Sequence, residues 1–315
     1  MSHRHHGTHE AADTRPRADV ELDIWRAGVT AGLGDSRDLP LDSHLHTVRS
    51  PDANALLDAY CTLAVERGIA ELAITDHVDF DPTMPAYGYS SFTDRERDVR
   101  EAAAARWADR GLAIWFGVEV TYERRFEDDI RGWLVRHPHD YAIGSVHISE
   151  ASPYKASNVR RFVAGRSLGD IVAPYFDEVT GAARSGLFDT IGHLDFMKRY
   201  LVPHVMPADL AGAPELYEPV LTALVESGTA LEVNASGLRQ LPRETYPSAA
   251  ITARYRELGG RHVTIGSDAH RTDWFAYGLA EAYRQAAGAG FEALTFRRGG
   301  ERIHVENPRY GNRRH

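Results

Sequence analysis

Asp42-Ser43-His44-Leu45-His46-Thr47, preceded by Leu39-Pro40-Leu41, is the stretch on which the reading of this 315-residue chain turns. The apolar lead-in reads as a buried strand, spanning residues 39–46, that ends in a polar loop. Side chains two apart on a strand share a face. His44 and His46 therefore point the same way, with Asp42 beside them. Two imidazoles converging at a strand end suit a divalent metal. A hydrogen-bonded histidine pair in a polar loop is the plainer alternative, and the rest of the chain has to separate the two.

Outward from this stretch the same grammar recurs. Residues 54–67 carry Ala, Leu and Val at helical spacing and stop at Gly68, a usual helix terminator. The apolar run 69–75 then delivers Asp76-His77. Further strands are expected at 112–120, delivering Glu119; at 141–146, delivering His147; at 188–191, delivering His193 and Asp195; at 230–233, with Glu232 and Asn234; and at 262–265, delivering Asp268 and His270. Helices are expected between them: from a Thr93 cap to about 109, and over 127–136, 168–185, 213–227, 248–258 and 274–289. Residues 294–297 and 302–305 add one or two terminal strands. Residues 78–91 and 148–165 read as long loops, the first a lid candidate. About seven strand–helix repeats imply a parallel sheet with helices outside. A closed or nearly closed barrel builds its site at the C-terminal strand ends, where the flagged residues fall. An open doubly wound sheet is the competing architecture and binds ligand at one switch point.

Composition sets bounds. The chain is 43% hydrophobic and 26% charged, with a formal net charge of −9. That balance argues against a broad surface for long nucleic acids, which is normally basic. A small anionic substrate remains compatible, because bound metal reverses the local field. The single cysteine, Cys61, excludes an internal disulfide, fits a reducing, cytoplasmic setting, and reads as a small buried apolar residue. No apolar run reaches the roughly 20 residues of a membrane span. Residues 1–19 read as a disordered polar tail whose histidines are left out of the site, and residues from 307 onward as a frayed basic tail. The weakly amphipathic stretch 20–32 has no assigned role.

The candidate ligands are His44, His46, Asp52, His77, Glu119, His147, His193, Asp268 and His270. Without sulfur among them, zinc, manganese or iron is implied. Nine ligands exceed one ion, so two or three divalent ions are expected, with Glu119 the best-placed bridge. Asp76 and Asp195, beside proposed ligands, are candidates to orient imidazoles, as are Glu232 and Asn234. Arg160, Arg199 and Arg239 are candidates for phosphate, since a guanidinium binds it in a forked geometry. Tyr87, Tyr89 and Phe92 are candidates to close over a substrate ring.

Six pieces in this order, Asp42-Ser43-His44-Leu45-His46, Ile74-Thr75-Asp76-His77, Gly117-Val118-Glu119, Gly144-Ser145-Val146-His147, Gly192-His193-Leu194-Asp195 and Gly266-Ser267-Asp268-Ala269-His270, resemble the motifs of the PHP (polymerase and histidinol phosphatase) family. Leu231-Glu232-Val233-Asn234-Ala235-Ser236-Gly237-Leu238-Arg239 is similar to a signature of its stand-alone histidinol phosphatase branch. The resemblance spans residues 39–297. It implies an α/β fold, a distorted seven-stranded (β/α) barrel forming a single domain over 20–306, with a three-metal centre. By position, it implies a first metal on His44, His46, Glu119 and Asp268, a second sharing Glu119 with His147 and His193, and a third on Asp52, His77 and His270. Many family members have histidine where this chain has Asp52.

The expected function is hydrolysis of L-histidinol phosphate in histidine synthesis, with Glu119, Asp268 and His270 in catalytic roles. Metal-activated water is the expected nucleophile, since the chain has no Gly-x-Ser-x-Gly elbow. A phosphoesterase acting on nucleotides or short oligonucleotides is the alternative. A non-catalytic metal-bound module and an amidohydrolase-like carbon–nitrogen hydrolase complete the readings. The expected partner is a small phosphorylated molecule, not a membrane or long nucleic acid. The sequence sets no oligomeric state.

Overall fold

Burial on both faces decides the architecture. The computed structural model describes residues 15–298 and 300–309. Its strands are Leu41–Leu45 (β1), Glu71–Ile74 (β2), His77–Val78 (β3), Ala113–Thr121 (β4), Tyr141–Ser145 (β5), Thr190–Ile191 (β6), Ala230–Asn234 (β7) and Val263–Gly266 (β8). β1, β2, β5, β6, β7 and β8 are buried at every position. Strands sealed in this way need cover on both sides, which parallel sheets obtain from crossover helices.

The pairing is parallel throughout and follows chain order, β1-β2-β4-β5-β6-β7-β8, with β3 continuing the β2 line against β4. The circle closes at the C-terminal ends of the strands. Leu45 bridges Ala269 in parallel, Asp268 N donates to His44 O at 2.9 Å, and His46 N donates to Ala269 O at 2.9 Å. The expected seven-stranded barrel is therefore present, and the open doubly wound sheet is not. One domain holds the whole core.

The outer layer comprises Arg17–Thr30 (α1), Leu57–Arg67 (α2), Phe92–Glu101 (α3), Glu127–Arg136 (α4), Val159–Val163 (α5), Leu168–Arg184 (α6), Lys198–Leu201 (α7), Pro207–Ala211 (α8), Pro214–Ser227 (α9), Ala249–Glu257 (α10) and Leu279–Gly288 (α11). Local chemistry sets their ends. Ser91, Ser167 and Ser248 cap α3, α6 and α10 through their side chains, each satisfying a backbone N–H otherwise unpaired. Gly68 and Gly228 end α2 and α9 in the left-handed conformation, where glycine carries no steric penalty. Ser91, not Thr93, caps α3, because Phe92 is drawn inward against Phe116, ring centroids 5.1 Å apart. Ala293–Arg298 (β9) and Glu301–Glu306 (β10) form an antiparallel hairpin outside the barrel.

Four expectations change. α1 begins at Arg17, inside the stretch read as tail, and gives residues 20–30 a helical role; residues 1–14 lie outside the described residues. Asn307 is not frayed: it is 1% exposed, and its amide donates to Tyr283 O at 3.1 Å and Phe291 O at 3.3 Å. Residues 310–315 lie outside the described residues. The second long loop contains α5. Among the described residues no helix is long and apolar enough to cross a membrane.

Candidate functional site

The strand ends converge on one carboxylate. Glu119, fully buried near the end of β4, has Oε1 at 3.4 Å from His44 Nε2, 3.4 Å from His147 Nε2 and 2.9 Å from His193 Nε2. Its Oε2 lies 3.4 Å from His46 Nε2 and 2.8 Å from His77 Nδ1. Five imidazoles from four different strand ends therefore face a single side chain. Asp268 Oδ1 sits 3.6 Å from His46 Nε2 and 3.4 Å from His270 Nδ1. Asp52, more than half exposed, closes the outer edge: its oxygens lie 3.6 Å from His77 Nε2 and 3.3 Å from His270 Nε2. All nine residues singled out as ligands are thus brought together.

Three of the rings, those of His44, His46 and His147, are held from behind, which directs the other nitrogen forward. His44 Nδ1 meets Glu232 Oε1 at 2.7 Å. His147 Nδ1 meets Thr121 Oγ1 at 2.8 Å, and that hydroxyl donates to Asp79 Oδ1 at 2.5 Å. His46 Nδ1 lies 3.3 Å from Ser50 Oγ, which donates to Asp76 Oδ1 at 2.7 Å. The result is an unusual meeting of ring nitrogens, with His44 Nε2 and His46 Nε2 only 3.0 Å apart. Carboxylates and backbone groups behind imidazoles fix tautomer and orientation in metal centres.

The backbone is bent to make this possible. His193 and Asp268 have φ of 22° and 53°, conformations that cost non-glycine residues free energy and cluster at functional sites. Two glycines permit the close approach. A Cβ on Gly266 would lie 2.3 Å from His44 Cβ and 2.6 Å from Glu232 Oε1, and one on Gly192 would lie 2.4 Å from Ser145 Oγ.

Burial disfavours charge on every one of these groups, yet their mutual attraction overrides it for most. Burial opposes protonation of His44, but Glu232, Glu119 and Asp268 outweigh it and raise its pKa well above the usual imidazole value. For His77 the same contest is won by Glu119 and Asp52, and for His193 by Glu119. Burial pushes Glu119 and Asp268 up, but surrounding imidazoles, His44 foremost, hold both below the usual carboxylate range. His46 goes the other way: burial, then the nearby His270 and His77, lower it well below the usual value.

Three overlapping triads can each hold a cation: His44, His46 and Asp268; His77, Glu119 and His147; and His46, His77 and His270, with the ligand atoms of each within 4.8 Å of one another. Glu119 Oε2, for all its near neighbours, accepts no well-oriented hydrogen bond, although it is buried. A buried anionic lone pair without a donor is costly in a dry site and matches an acceptor awaiting a cation. Nitrogen and oxygen donors in this mixture suit zinc, manganese or iron.

The centre opens into a cavity of about 670 Å³, within the range of small-molecule sites. Its walls correct several expectations. Arg199 lines it, with Nε and Nη2 on the carboxylate of Glu21 at 3.0 and 2.7 Å. Arg239 lines it too, but its Nη groups donate to the main-chain oxygens of Ser267 and Asp268 at 2.9 and 2.5 Å, and it lies over the Trp274 ring. It braces the turn that carries Asp268. Arg160 is not a wall residue: α5 buries Val159 and leaves Arg160 exposed. Tyr87 and Tyr89 are each 52% exposed, and Phe92 packs against Phe116 and Trp133; Met84, Pro85 and Ala86 of the same loop meet the cavity instead. Asp195 orients no imidazole, because Lys198 takes its carboxylate at 2.7 Å. Cys61 is fully buried, and burial pushes its thiol up to about 12.

Sequence reasoning missed Thr121, Ser50, Asp79, Arg271 and the whole contribution of α1. Thr121 alone had a signal, since it lies two residues beyond Glu119 on the same face of β4.

Comparison with known proteins points to the family that the motifs resemble. The family model of the PHP domain matches residues 42–236. A probable histidinol-phosphatase of Deinococcus radiodurans is 30% identical over 257 residues, 81% of this chain and 96% of that one. A histidinol-phosphatase of Lactococcus lactis is 26% identical, covering 81% of this chain and 94% of its own. The crystal structure of histidinol phosphate phosphatase from L. lactis, complexed with zinc, L-histidinol and phosphate, superposes with a TM-score of 0.70 at 23% identity, over 84% of this chain and 98% of that one. At that identity the superposition speaks for the fold.

Proposed function

The chain belongs to the PHP domain family, and from that premise we propose that it is a metal-dependent phosphomonoesterase hydrolysing L-histidinol phosphate to L-histidinol and phosphate. The placement of the buried Glu119 among five imidazoles, three of which (His77, His147 and His193) line a substrate-sized cavity, carries the proposal. Relatives named as histidinol-phosphatases, matched over more than nine-tenths of their own length, supply the substrate.

The donor set fits two or three divalent ions: His44, His46, Glu119 and Asp268 would hold one, Glu119, His147 and His193 a second, and Asp52, His77 and His270 a third, with His46 and His77 also close enough to serve a neighbouring ion. When bound, such ions supply Lewis acidity towards the phosphoryl group and lower the pKa of water. The chain's own residues do the rest. Glu232, Ser50 and Thr121 hold the rings of His44, His46 and His147 through Nδ1, so that Nε2 of each is the nitrogen turned towards the centre. Asp268 and His270, in contact and on the cavity side, share the catalytic assignment with Glu119. Arg199 is the wall cation retained for phosphate, Arg239 contributes through the Asp268 turn, and Arg160 is withdrawn. We take residues 17–307, from the start of α1 to the anchored Asn307, as one catalytic unit in place of the expected 20–306, in a cytoplasmic setting.

The test is phosphate release from L-histidinol phosphate beside a panel of nucleoside monophosphates and short oligonucleotides, with and without added Zn²⁺, Mn²⁺ or Fe²⁺. A preference for the nucleotides would transfer the chain to the alternative substrate class. In labelled water the product should be singly labelled phosphate; a trapped phosphorylated side chain would rule out direct attack by water.

A further inference from the structure

α1 lies before the residues matched by the family model, yet it forms a wall of the cavity through Ala18, Glu21, Leu22 and Trp25. Two ties hold it to the segment that carries Arg199. The Glu21 carboxylate takes Nε and Nη2 of Arg199 side-on, at 3.0 and 2.7 Å. Arg17 Nη1 donates to the Arg199 carbonyl and its guanidinium lies 5.2 Å from the Tyr200 ring centroid. The Glu21 side chain is 13% exposed and that of Arg199 29%, so the pair is shielded without being sealed off.

A guanidinium has five N–H donors in a rigid fork. Glu21 occupies one edge, and among the described residues nothing accepts from Nη1 of Arg199. Arg239, by contrast, spends its Nη groups on main-chain oxygens, and Arg271 pairs with Asp273 at 2.8 Å. Arg199 is therefore the cavity arginine with one edge clamped and Nη1 left without an acceptor.

We propose that Glu21 is a positioning residue for the substrate: it clamps Arg199 so that the Nη1 edge binds the phosphoryl oxygens of a phosphate monoester. The proposal rests on the phosphomonoesterase reading above, and deepens it by making α1 part of the substrate site. Its ligand is the phosphoryl group itself, so its effect is independent of the alcohol that leaves.

The test uses the full-length, metal-loaded protein and the variants Glu21→Ala, Glu21→Gln, Arg199→Ala, Arg199→Lys and the double alanine variant. Kinetics are measured on L-histidinol phosphate and 4-nitrophenyl phosphate, binding of inorganic phosphate by calorimetry, and folding by thermal melts. Glu21→Ala should raise KM for both esters, and Kd for phosphate, about tenfold, the scale of one lost charge-assisted hydrogen bond, with kcat far less affected. Arg199→Ala should match it and the double variant should be no worse, since the two act as one unit; Gln at 21 and Lys at 199 should recover part of the loss. Unchanged KM and Kd in folded Glu21→Ala or Glu21→Gln, additive losses, or an effect confined to one ester would overturn the proposal. If the unaltered protein spares L-histidinol phosphate, the substrate reading fails separately, and phosphate binding still decides this one.

Discussion

Glu232 serves two proposed ligands from one buried carboxylate: its Oε1 lies 2.7 Å from His44 Nδ1, and its Oε2 accepts the backbone N–H of His193 at 2.8 Å. Asn234 Nδ2 adds a third bond to Oε2 at 3.0 Å. The carboxylate thereby fixes a ring tautomer on β1 and a strained backbone position after β6. Glu232→Gln keeps the volume, removes the charge, and leaves one of these donors facing an amide N–H. Metal affinity should fall by roughly 10–100-fold, the usual effect of losing such a partner, while activity returns in excess metal. Metal titration of the dialysed protein checks it, and unchanged affinity would mean that Glu232 is a packing residue.

Glu119 should be less forgiving, because it touches five imidazoles and not one. Glu119→Gln should lower kcat/KM by more than about a hundredfold, beyond the range for groups one step removed from metal, and excess metal should not restore it. In the metal-free variant the raised pKa values of His44, His77 and His193 should drop, since Glu119 raises all three. Imidazole NMR titration reads this directly, and unmoved titrations would contradict the geometry.

The pH dependence of metal removal follows with a definite sign. In the metal-free protein His44, His77 and His193 have pKa values raised above 6.5. Their contribution to stability is fully present below the unfolded value and is lost as pH rises through the raised ones. Metal binding needs the rings deprotonated, so its contribution grows over the same interval. Chelation should therefore cost little at about pH 6 and much more at about pH 8.5, with a Tm loss on the order of 5–10 °C per ion for ions present at a hundred times their Kd. Differential scanning calorimetry at the two pH values, with and without chelator, gives the comparison; an equal loss at both would remove the proton–metal competition from the account.

The sequence revealed the parts of this centre that obey a period. Strands buried on both faces begin as short apolar runs, and most of the ligands lie at or just beyond the end of one, so β1, β4, β5, β7 and β8 could be located to within a residue or two. The i, i+2 alternation put His44 and His46 on one face, and motif order supplied the others. Loop side chains obey no such rule. Arg160 and Arg199 are both arginines on short helical turns, and only the folded chain turns one towards the cavity. Asp195 follows His193 in the motif, yet Lys198, three residues on at the start of α7, captures it. α1 was opaque because it buries only Ile24, so its pattern is faint although Glu21 and Trp25 reach the cavity.

Gly266 offers the sharpest steric test. It ends β8 directly behind His44, and a Cβ there would lie 2.3 Å from His44 Cβ and 2.6 Å from Glu232 Oε1. Neither neighbour can yield: both are fully buried, and the two are hydrogen-bonded to each other. Gly266→Ala should therefore destabilise by about 1–3 kcal/mol, the usual scale of overpacking, and should weaken metal binding by separating Glu232 from His44. Gly288→Ala is the matched control, because nothing lies within 4 Å of its added Cβ at the end of α11, where alanine favours the helix by up to about 1 kcal/mol. Denaturant melts with metal titrations on both variants make the comparison. Equal behaviour of the two would mean that β1 and β8 move apart readily, and that the centre does not depend on their close approach.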